Sequence, residues 1–519
     1  MYQVSPSPRV LFVASEAYPL AKTGGLADVC GALPAMLASL DVDVRVMLPG
    51  YPQALDLALD KRVVALDLPE GRLVSATMPG SGIPVLLYDC PALFARAGGP
   101  YQDADGRDWP DNDRRFGMFC RAAVAVALGR TALGWRPQLV HANDWHTGLV
   151  PALLNYSGEA APKTVFTIHN LAFQGNFSLA AFTGLGLPPE ALSSDGIEFY
   201  DRVSFMKAGL RYGDRLTTVS PTYAREILTA EHGCGFEGLL RARARDLVGI
   251  LNGIDHTVWN PANDADLPCR YSADALDGKV ACKTALRAEL GLADGDAPLM
   301  IYANRLTHQK MADIVFEAVP RLVANGGQVV IHGEGEHDLE QAFLDLARAH
   351  PRNVAVRLGY TEPLAHRMHA GADLSLTPSR FEPCGLTTMY AMRYGALPVT
   401  RPVGGLRDTV EDAGVHGEGA EGSGFVFGET TAEGLTRCVL RATDWYGKRG
   451  AWDALQHRAM QRDFGWEQSA RRYLELYDEL LVESRAGQRG ETWPPHPGGD
   501  RELGEPIEAS PSDAMAALV

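Results

Sequence analysis

The sequence predicts an α/β protein made of two doubly wound domains, each a parallel sheet with helices on both faces. Three observations carry this. Short β-rich apolar runs alternate with longer helical patterns along most of the chain, and strand-then-helix repetition means parallel sheets covered on both sides. The strand candidates are continuously apolar, which fits burial on both faces. The alternation breaks once, in the polar, Pro-containing stretch 256–273 after Asn252-Gly253-Ile254-Asp255, and then resumes, as at a join between domains. A length of 519 residues allows about three average domains, or two of the larger α/β kind.

Taken in order, strands are expected at 10–14, 42–48, 139–141, 164–169 and 215–219, then at 299–303, 328–332, 354–358, 374–377, 397–400 and 424–427. Helical periodicity predicts helices over 26–40, 115–133, 204–212, 223–229, 279–290, 313–324, 338–349, 386–394 and 431–445. Residues 63–89 read as short antiparallel strands turned at Glu70-Gly71 and Gly80-Ser81-Gly82. We therefore expect a first domain over 1–255, a linker over 256–278 and a second domain over 279–463. The last 33 residues, from Gly487, hold five Pro, five Gly and six acids against two bases, a composition that buries no core and predicts a disordered tail over 487–519.

Composition narrows the partners. Acidic residues outnumber basic ones 64 to 48, a net charge of −16, so the average surface repels nucleic acid and anionic lipid. An anionic ligand would need a local site of cations and backbone N–H groups. No apolar run approaches the roughly 18 residues of a membrane helix, and the apolar run at 10–14 is too short for a signal peptide. Eight cysteines lie far apart with no C-x-x-C, which favours free thiols, a reducing compartment and a cytoplasmic location. Nothing in the composition sets an oligomeric state.

Five motifs stand at strand ends, where open α/β sheets bind ligands. Lys22-Thr23-Gly24-Gly25-Leu26-Ala27-Asp28-Val29 precedes a helix. Its glycines allow close backbone approach, the helix start offers N–H groups and Lys22 adds charge, although a Gly-Gly pair also serves as a plain tight turn. It is not a Walker loop, since Lys22 precedes the glycines. His141-Ala142-Asn143-Asp144-Trp145-His146 and His169-Asn170 end two strands. His141 and His146 lack zinc-site spacing and a nearby cysteine, so satisfied structural histidines are the better reading. Arg305-Leu306-Thr307-His308-Gln309-Lys310 sets a planar fork and a point charge on one loop, fit to grip a diphosphate; alone, the pair also reads as solvated surface. In Pro378-Ser379-Arg380-Phe381-Glu382-Pro383-Cys384-Gly385-Leu386-Thr387-Thr388, Gly385, Leu386 and Thr387 present helix-start amides. Glu382 would repel phosphate and so suits sugar hydroxyls. Cys384 beside a helix start could have a depressed pKa, but simple packing is the better reading. Gly333-Glu334-Gly335 lacks the third glycine of a dinucleotide fingerprint and carries acids, which excludes a nicotinamide site. Gly404-Gly405-Leu406 is a further glycine turn at a strand end.

Together these strings, with Thr-Ile-His-Asn-Leu-Ala-Phe-Gln-Gly at 167–175, Asn252–Asp255 and 390–395, resemble the bacterial glycogen synthases. That family is the ADP-glucose-using branch of the retaining glycosyltransferases, shared with plant starch synthases. The likeness runs in one order over roughly residues 9–485, and the absence of a plastid-type leader before Arg9 favours the bacterial version. The resemblance implies two Rossmann-like domains facing each other across a cleft, the GT-B architecture. It further implies that a last helix, within 464–486, crosses back onto the first domain. The implied reaction moves glucose from ADP-glucose to the non-reducing 4-hydroxyl of glycogen or another α-1,4-glucan, with retention and with no cofactor and no metal.

The implied roles follow the matched positions. Arg305 and Lys310 bind the diphosphate, helped by the amides at Cys384, Gly385, Leu386 and Thr387 and by Lys22 with Gly24 and Gly25. Glu382 holds glucose hydroxyls, Tyr360 stacks on adenine, and Asp28, Asp144, Asn170 and Asn252 position sugar and acceptor. His169 stands beside the anomeric carbon. Two departures are visible: Met311 occupies a place where the family has Gly, and Tyr390 stands where the wider glycosyltransferase pattern has a second Glu. The nearest alternative is a transferase of the same architecture using UDP-glucose or a small acceptor. The alternative of another class is an inactive glucan-binding or regulatory protein, against which the presence of the cation pair and Glu382 speaks.

Overall fold

The computed structural model describes residues 7–414 and 422–488. Its strands are β1 (Arg9–Val13), β2 (Asp43–Pro49), β3 (Leu59–Val64), β4 (Arg72–Thr77), β5 (Pro84–Asp89), β6 (Leu139–Asn143), β7 (Lys163–Ile168), β8 (Asn176–Ser178), β9 (Arg202–Ser204), β10 (Arg215–Thr218) and β11 (Leu247–Gly249). They continue with β12 (Leu299–Ala303), β13 (Gln328–Gly333), β14 (Val354–Leu358), β15 (Leu374–Thr377), β16 (Leu397–Thr400) and β17 (Phe425–Val426). The first sheet has the order β11-β10-β7-β6-β1-β2-β5-β4-β3, the second β14-β13-β12-β15-β16-β17. Within these two sheets every pairing is parallel except those of β4 with β3 and β5, the antiparallel edge expected from 63–89. Gly71, Gly80 and Gly82 turn that edge at φ +79, +80 and +73, which only glycine adopts freely.

Central strands such as β1 and β12 are buried along nearly their whole length, as parallel strands under two helix layers must be. Strand order reverses beside β1 in the first sheet and beside β12 in the second. Each reversal opens a crevice at the carboxyl ends of neighbouring strands. The loops after β1, β6 and β7 carry Lys22, Asp144 and His169, and those after β12 and β15 carry Arg305, Lys310 and Glu382.

Element ends differ from the expectations by a few residues. The helix expected over 115–133 stops at Ala127, because Gly129 takes φ +76 and closes it. Helices Pro52–Leu57, Leu149–Asn155, Glu362–Gly371, Gly404–Thr409 and Arg449–Gln461, and the small hairpin of β8 and β9, were not expected. They are short or weakly periodic. The tail from residue 489 on lies outside the described residues, while 487 and 488 end the helix Trp466–Gln488.

That last helix buries Ala470, Tyr473, Leu476, Tyr477 and Leu480 in the core of the first sheet. A buried polar ladder joins it to three strands. The Tyr477 hydroxyl lies 2.6 Å from His141 Nδ1, His141 Nε2 lies 2.5 Å from Thr167 Oγ1, and Thr167 Oγ1 lies 2.5 Å from Thr217 Oγ1. Both ring nitrogens of His141 are spent in this ladder, and burial pulls its pKa down to about 3, so the ring is a neutral structural group. Tyr477→Phe strands one buried nitrogen and is expected to cost about 1–3 kcal/mol, read as a lowered denaturation midpoint; an unchanged midpoint would remove the ladder from the account.

Candidate active site

The first domain contributes the loop after β1. Lys22 Nζ bonds Asp28 Oδ1 at 2.8 Å and Glu362 Oε2 of the second domain at 2.7 Å. Burial pulls the Lys22 pKa down, but Asp28, Tyr360 and Glu362 outweigh it and hold it above its ordinary value. The loop itself is shaped by Glu16, which accepts from Thr23 N at 2.5 Å, Thr23 Oγ1 at 2.8 Å and Tyr101 Oη at 2.6 Å, with Gly24 N at 3.4 Å. Part of the backbone that the sequence reading turned toward a ligand is thus turned toward Glu16. Gly25 serves closeness: a Cβ there would lie 3.1 Å from Leu386 of the second domain.

Asp144 follows β6 with φ 58 and ψ 178, a conformation L-residues rarely adopt and one that clusters at functional sites. Its Oδ1 accepts from His169 N at 2.8 Å and Asn170 N at 3.4 Å, so it shapes the turn after β7. The His169 ring meets Asn143 Oδ1 through Nε2 at 2.9 Å, and burial lowers its pKa to about 3, leaving it uncharged. Asn170 Oδ1 caps Ala172 N at 3.1 Å. His146 stacks on Tyr101 at 4.4 Å between ring centroids, deep in the aromatic cluster with Phe116 and Trp145.

The second domain contributes the cations. Arg305 is exposed and lies over the Phe173 ring of the first domain at 5.7 Å. Lys310 Nζ bonds Glu382 Oε2 at 2.5 Å, and Ser379 Oγ donates to the same oxygen at 2.9 Å. One buried hydroxyl ties the cation loop together: Tyr302 Oη donates toward the carbonyls of Arg305 at 3.1 Å and Lys310 at 3.0 Å. Met311 follows with φ 54 and ψ 36. The glycine-like backbone is therefore kept without a glycine, at about 1–2 kcal/mol, and the Met311 side chain is wholly buried in the second core, which offsets that cost.

Gly385 takes φ +88 at the start of the helix Leu386–Arg393, and a Cβ there would meet Leu406 at 2.6 Å. Leu386 and Thr387 form its first turn, beside Glu382. Cys384 is buried, and burial pushes its pKa up to about 12 against the opposing influence of Asn252, in agreement with the packing reading. Asn252 keeps a buried Oδ1 without a partner. Tyr360 is 52% exposed, with Lys22 Nζ 5.7 Å from its ring. Tyr390, in place of the wider pattern's second Glu, stacks on Trp259 at 3.8 Å and faces Asp28 across the cleft, opposing the burial that raises the Asp28 carboxyl.

Two further contacts lock the domains. Thr222 donates to Asp408 through N at 2.8 Å and Oγ1 at 2.6 Å, and Glu226 Oε1 accepts from Gly404 N at 2.9 Å. Gly405 N in turn donates to the Glu382 carbonyl at 3.0 Å. Elsewhere, Asp264, Asp266 and His366 bring ligand-type atoms together, but Asp264 is already bonded to His366 Nδ1 and Tyr394 Oη, each at 2.6 Å. Sequence reasoning missed Glu16, Glu362, Ser379 and Tyr302. Glu16, just past a strand end, carried a positional signal; Tyr302, inside a strand, carried none.

Two α/β domains face each other by strand ends that carry three lysine and arginine side chains; this is the GT-B architecture, and the family matches make the chain a glycosyltransferase. Residues 9–242 match the starch synthase catalytic domain and residues 284–450 the glycosyl transferases group 1. Glycogen synthase of Burkholderia thailandensis is 55% identical over 487 residues, covering 92% of this chain and 91% of that one. Glycogen synthase of Paramagnetospirillum magneticum is 51% identical, covering 91% and 97%. The catalytic domain of starch synthase IV from Arabidopsis thaliana, solved bound to ADP and acarbose, superposes with a TM-score of 0.84 at 33% identity, covering 92% of this chain and all of that one. The chain belongs to the glycogen synthase family and is a hexosyltransferase. All eight cysteines are free, and among the described residues no helix is long and apolar enough to cross a membrane.

Burial raises Asp144 from an ordinary 3.8 to about 7. The folded protein then keeps a proton that the unfolded chain releases, so this contribution to stability is full below about pH 4 and is lost as pH rises through about 7. Relative to Asp144→Asn, which does not titrate, the wild type is expected to lose unfolding free energy between pH 4 and 7 and to level off above. Denaturant titrations of both proteins across that range check this; a difference independent of pH would contradict it.

Proposed function

We propose that this glycogen synthase transfers glucose from ADP-glucose to the non-reducing 4-hydroxyl of an α-1,4-glucan with retention of configuration. The observation that carries the reading is the set of cations at the facing strand ends: Lys22 of the first domain beside the half-exposed Tyr360 ring, and Arg305 and Lys310 on one loop of the second, over Phe173 and on Glu382. A diphosphate with a stacked base matches that row of cations and aromatic face. The solved Arabidopsis starch synthase, bound to ADP and acarbose, supports the same pairing of nucleotide and glucan.

In this reading Arg305 and Lys310 bind the diphosphate and stabilise the charge on departing ADP, with Lys22 reaching over from the first domain. The amides at Gly385, Leu386 and Thr387 and the turn at Gly24 and Gly25 line the phosphates, and Cys384 shapes that turn by packing. Glu382 orients glucose hydroxyls while steadying Lys310. Asp28, Asp144, Asn170 and Asn252 place the sugar and acceptor; the unpartnered Asn252 oxygen is ready for a hydroxyl donor. His169, neutral at working pH, offers its ring dipole or its carbonyl to the cation-like transition state.

The carboxylates near the reacting centre are committed: Asp28 to Lys22, Asp144 to two amides, Glu382 to Lys310 and Ser379. With Asp28 and Asp144 so engaged and Glu382 assigned to glucose hydroxyls, this reading places no nucleophile for a glycosyl-enzyme of the hydrolase kind. Same-face displacement follows, in which the leaving phosphate oxygen takes the proton of the incoming 4-hydroxyl as the glycosidic bond breaks. Closing of the cleft excludes water, the competing acceptor. We assign the first domain to 1–255 with 464–486, the linker to 256–278 and the donor-binding domain to 279–463, in a cytoplasmic enzyme.

Transfer rates to glycogen from ADP-glucose and UDP-glucose, with the product anomer read by NMR, test this. ADP-glucose is expected to win by at least about tenfold, the scale of one stacking or hydrogen-bond difference, with α-linked product. A UDP-glucose preference would refute the donor assignment, and β-linked product the mechanism.

A further inference from the structure

The most exposed large apolar side chain among the described residues is Tyr200, at 69%, and its backbone is held in an unfavourable form. Phe199 and Arg202 exchange both backbone hydrogen bonds, at 2.8 and 3.1 Å, around a two-residue turn in which Tyr200 has φ 48 and Asp201 φ 58. That is the geometry Asn-Gly fills readily. A bulky aromatic residue with left-handed φ is an outlier that points toward function.

The ring is also braced. Tyr200 meets Phe199 edge-to-face at 4.6 Å, and Phe199 stacks at 4.1 Å on the buried Phe236. Gly235 makes room for both, since a Cβ there would lie 3.0 Å from Phe199 and 3.3 Å from Tyr200. A strained turn therefore presents a pre-organised aromatic face to solvent, with Asp201 N held by Glu198 Oε1 at 2.8 Å.

The turn is continuous with the candidate active site. It leads directly into β9, which pairs with β8, and β8 continues the segment that leaves His169 and Asn170. Ser204 Oγ and Met206 N both bond the Gln174 carbonyl at 3.1 Å, and Gln174 Nε2 bonds the Cys234 carbonyl at 2.8 Å. Along this one segment two rings are exposed: Phe173, 48% exposed and beside Arg305, and Tyr200 at its far end.

We propose that Tyr200 is a secondary glucan-binding platform, stacking on the C–H face of a glucose unit in the acceptor chain behind the end being extended. This rests on the reading of the protein as a glucan-extending transferase. An aromatic face held rigid binds at low entropic cost, and a second contact on the same polymer raises the local concentration of chain ends at the reaction site. Long or branched acceptors gain from it, and acceptors too short to span the segment do not.

The test compares wild type, Tyr200→Asn and Tyr200→Phe. Asn tolerates left-handed φ, so it keeps the turn and removes the ring; Phe keeps the ring. Tyr200→Asn is expected to raise KM for glycogen by about 3- to 10-fold, the scale of one aromatic contact, with kcat and the KM for maltotriose unchanged, while Tyr200→Phe behaves as wild type. Retardation in a glycogen-containing native gel, which needs no donor, is expected to weaken in Tyr200→Asn alone. Retardation equal to wild type would overturn the proposal even if no transfer to glucan were found, whereas failure of transfer with retardation lost in Tyr200→Asn would overturn only the catalytic reading. A parallel rise in KM for both acceptors, or a change in sedimentation with glycogen affinity unchanged, would also overturn it.

Discussion

Positive charge in this cleft is held in place by negative charge from the same protein. Lys310 is gripped by Glu382, which Ser379 steadies, and Lys22 is gripped by Asp28 and by Glu362 from the opposite domain. A lysine left alone in so confined a place would swing or lose its proton. Paired, it stays charged and aimed. In the proposed reading a diphosphate meets cations already oriented, which is the condition for strong electrostatic stabilisation of a leaving group. The same carboxylates repel phosphate, so affinity is moderated while position is secured.

The scaffold serves this arrangement at each level. Reversal of strand order beside β1 and β12 opens two crevices, and the contacts of Gly25 with Leu386, Asp28 with Tyr390 and Glu226 with Gly404 bring them face to face. Tyr302 fixes the backbone on both sides of the cation loop. The Gly404–Gly405 turn joins Glu226 of the first domain to the Glu382 carbonyl of the second through two hydrogen bonds. Seating of the domains and placement of Glu382 are thus one mechanical unit.

Much of this was legible before any coordinates. The alternation of buried strands and amphipathic helices is a period signal, and it exposed both sheets. The Gly-rich and charged strings stood out because their chemistry is local to one strand end. What stayed hidden is what arises only when distant segments meet. Glu362 stands at the start of a helix that periodicity did not signal, and its carboxylate meets Lys22, 340 positions away in the chain. Tyr302 looked like a core strand residue. Met311 looked like a disruption of its loop, yet burial of its side chain carries the left-handed backbone that glycine would adopt freely. Cys384 read as a packing residue despite its place beside a helix start, and its burial agrees.

The central claim is that Glu382 holds Lys310 ready and yields it to the donor's phosphate. Calorimetric titration of ADP into wild type and Glu382→Gln tests it most directly, because ADP carries no glucose for Glu382 to touch and Gln still accepts a hydrogen bond from Lys310. Removing one negative charge beside the diphosphate is expected to tighten ADP binding by at least about fivefold while glucosyl transfer slows. Weaker ADP binding in Glu382→Gln would contradict the account.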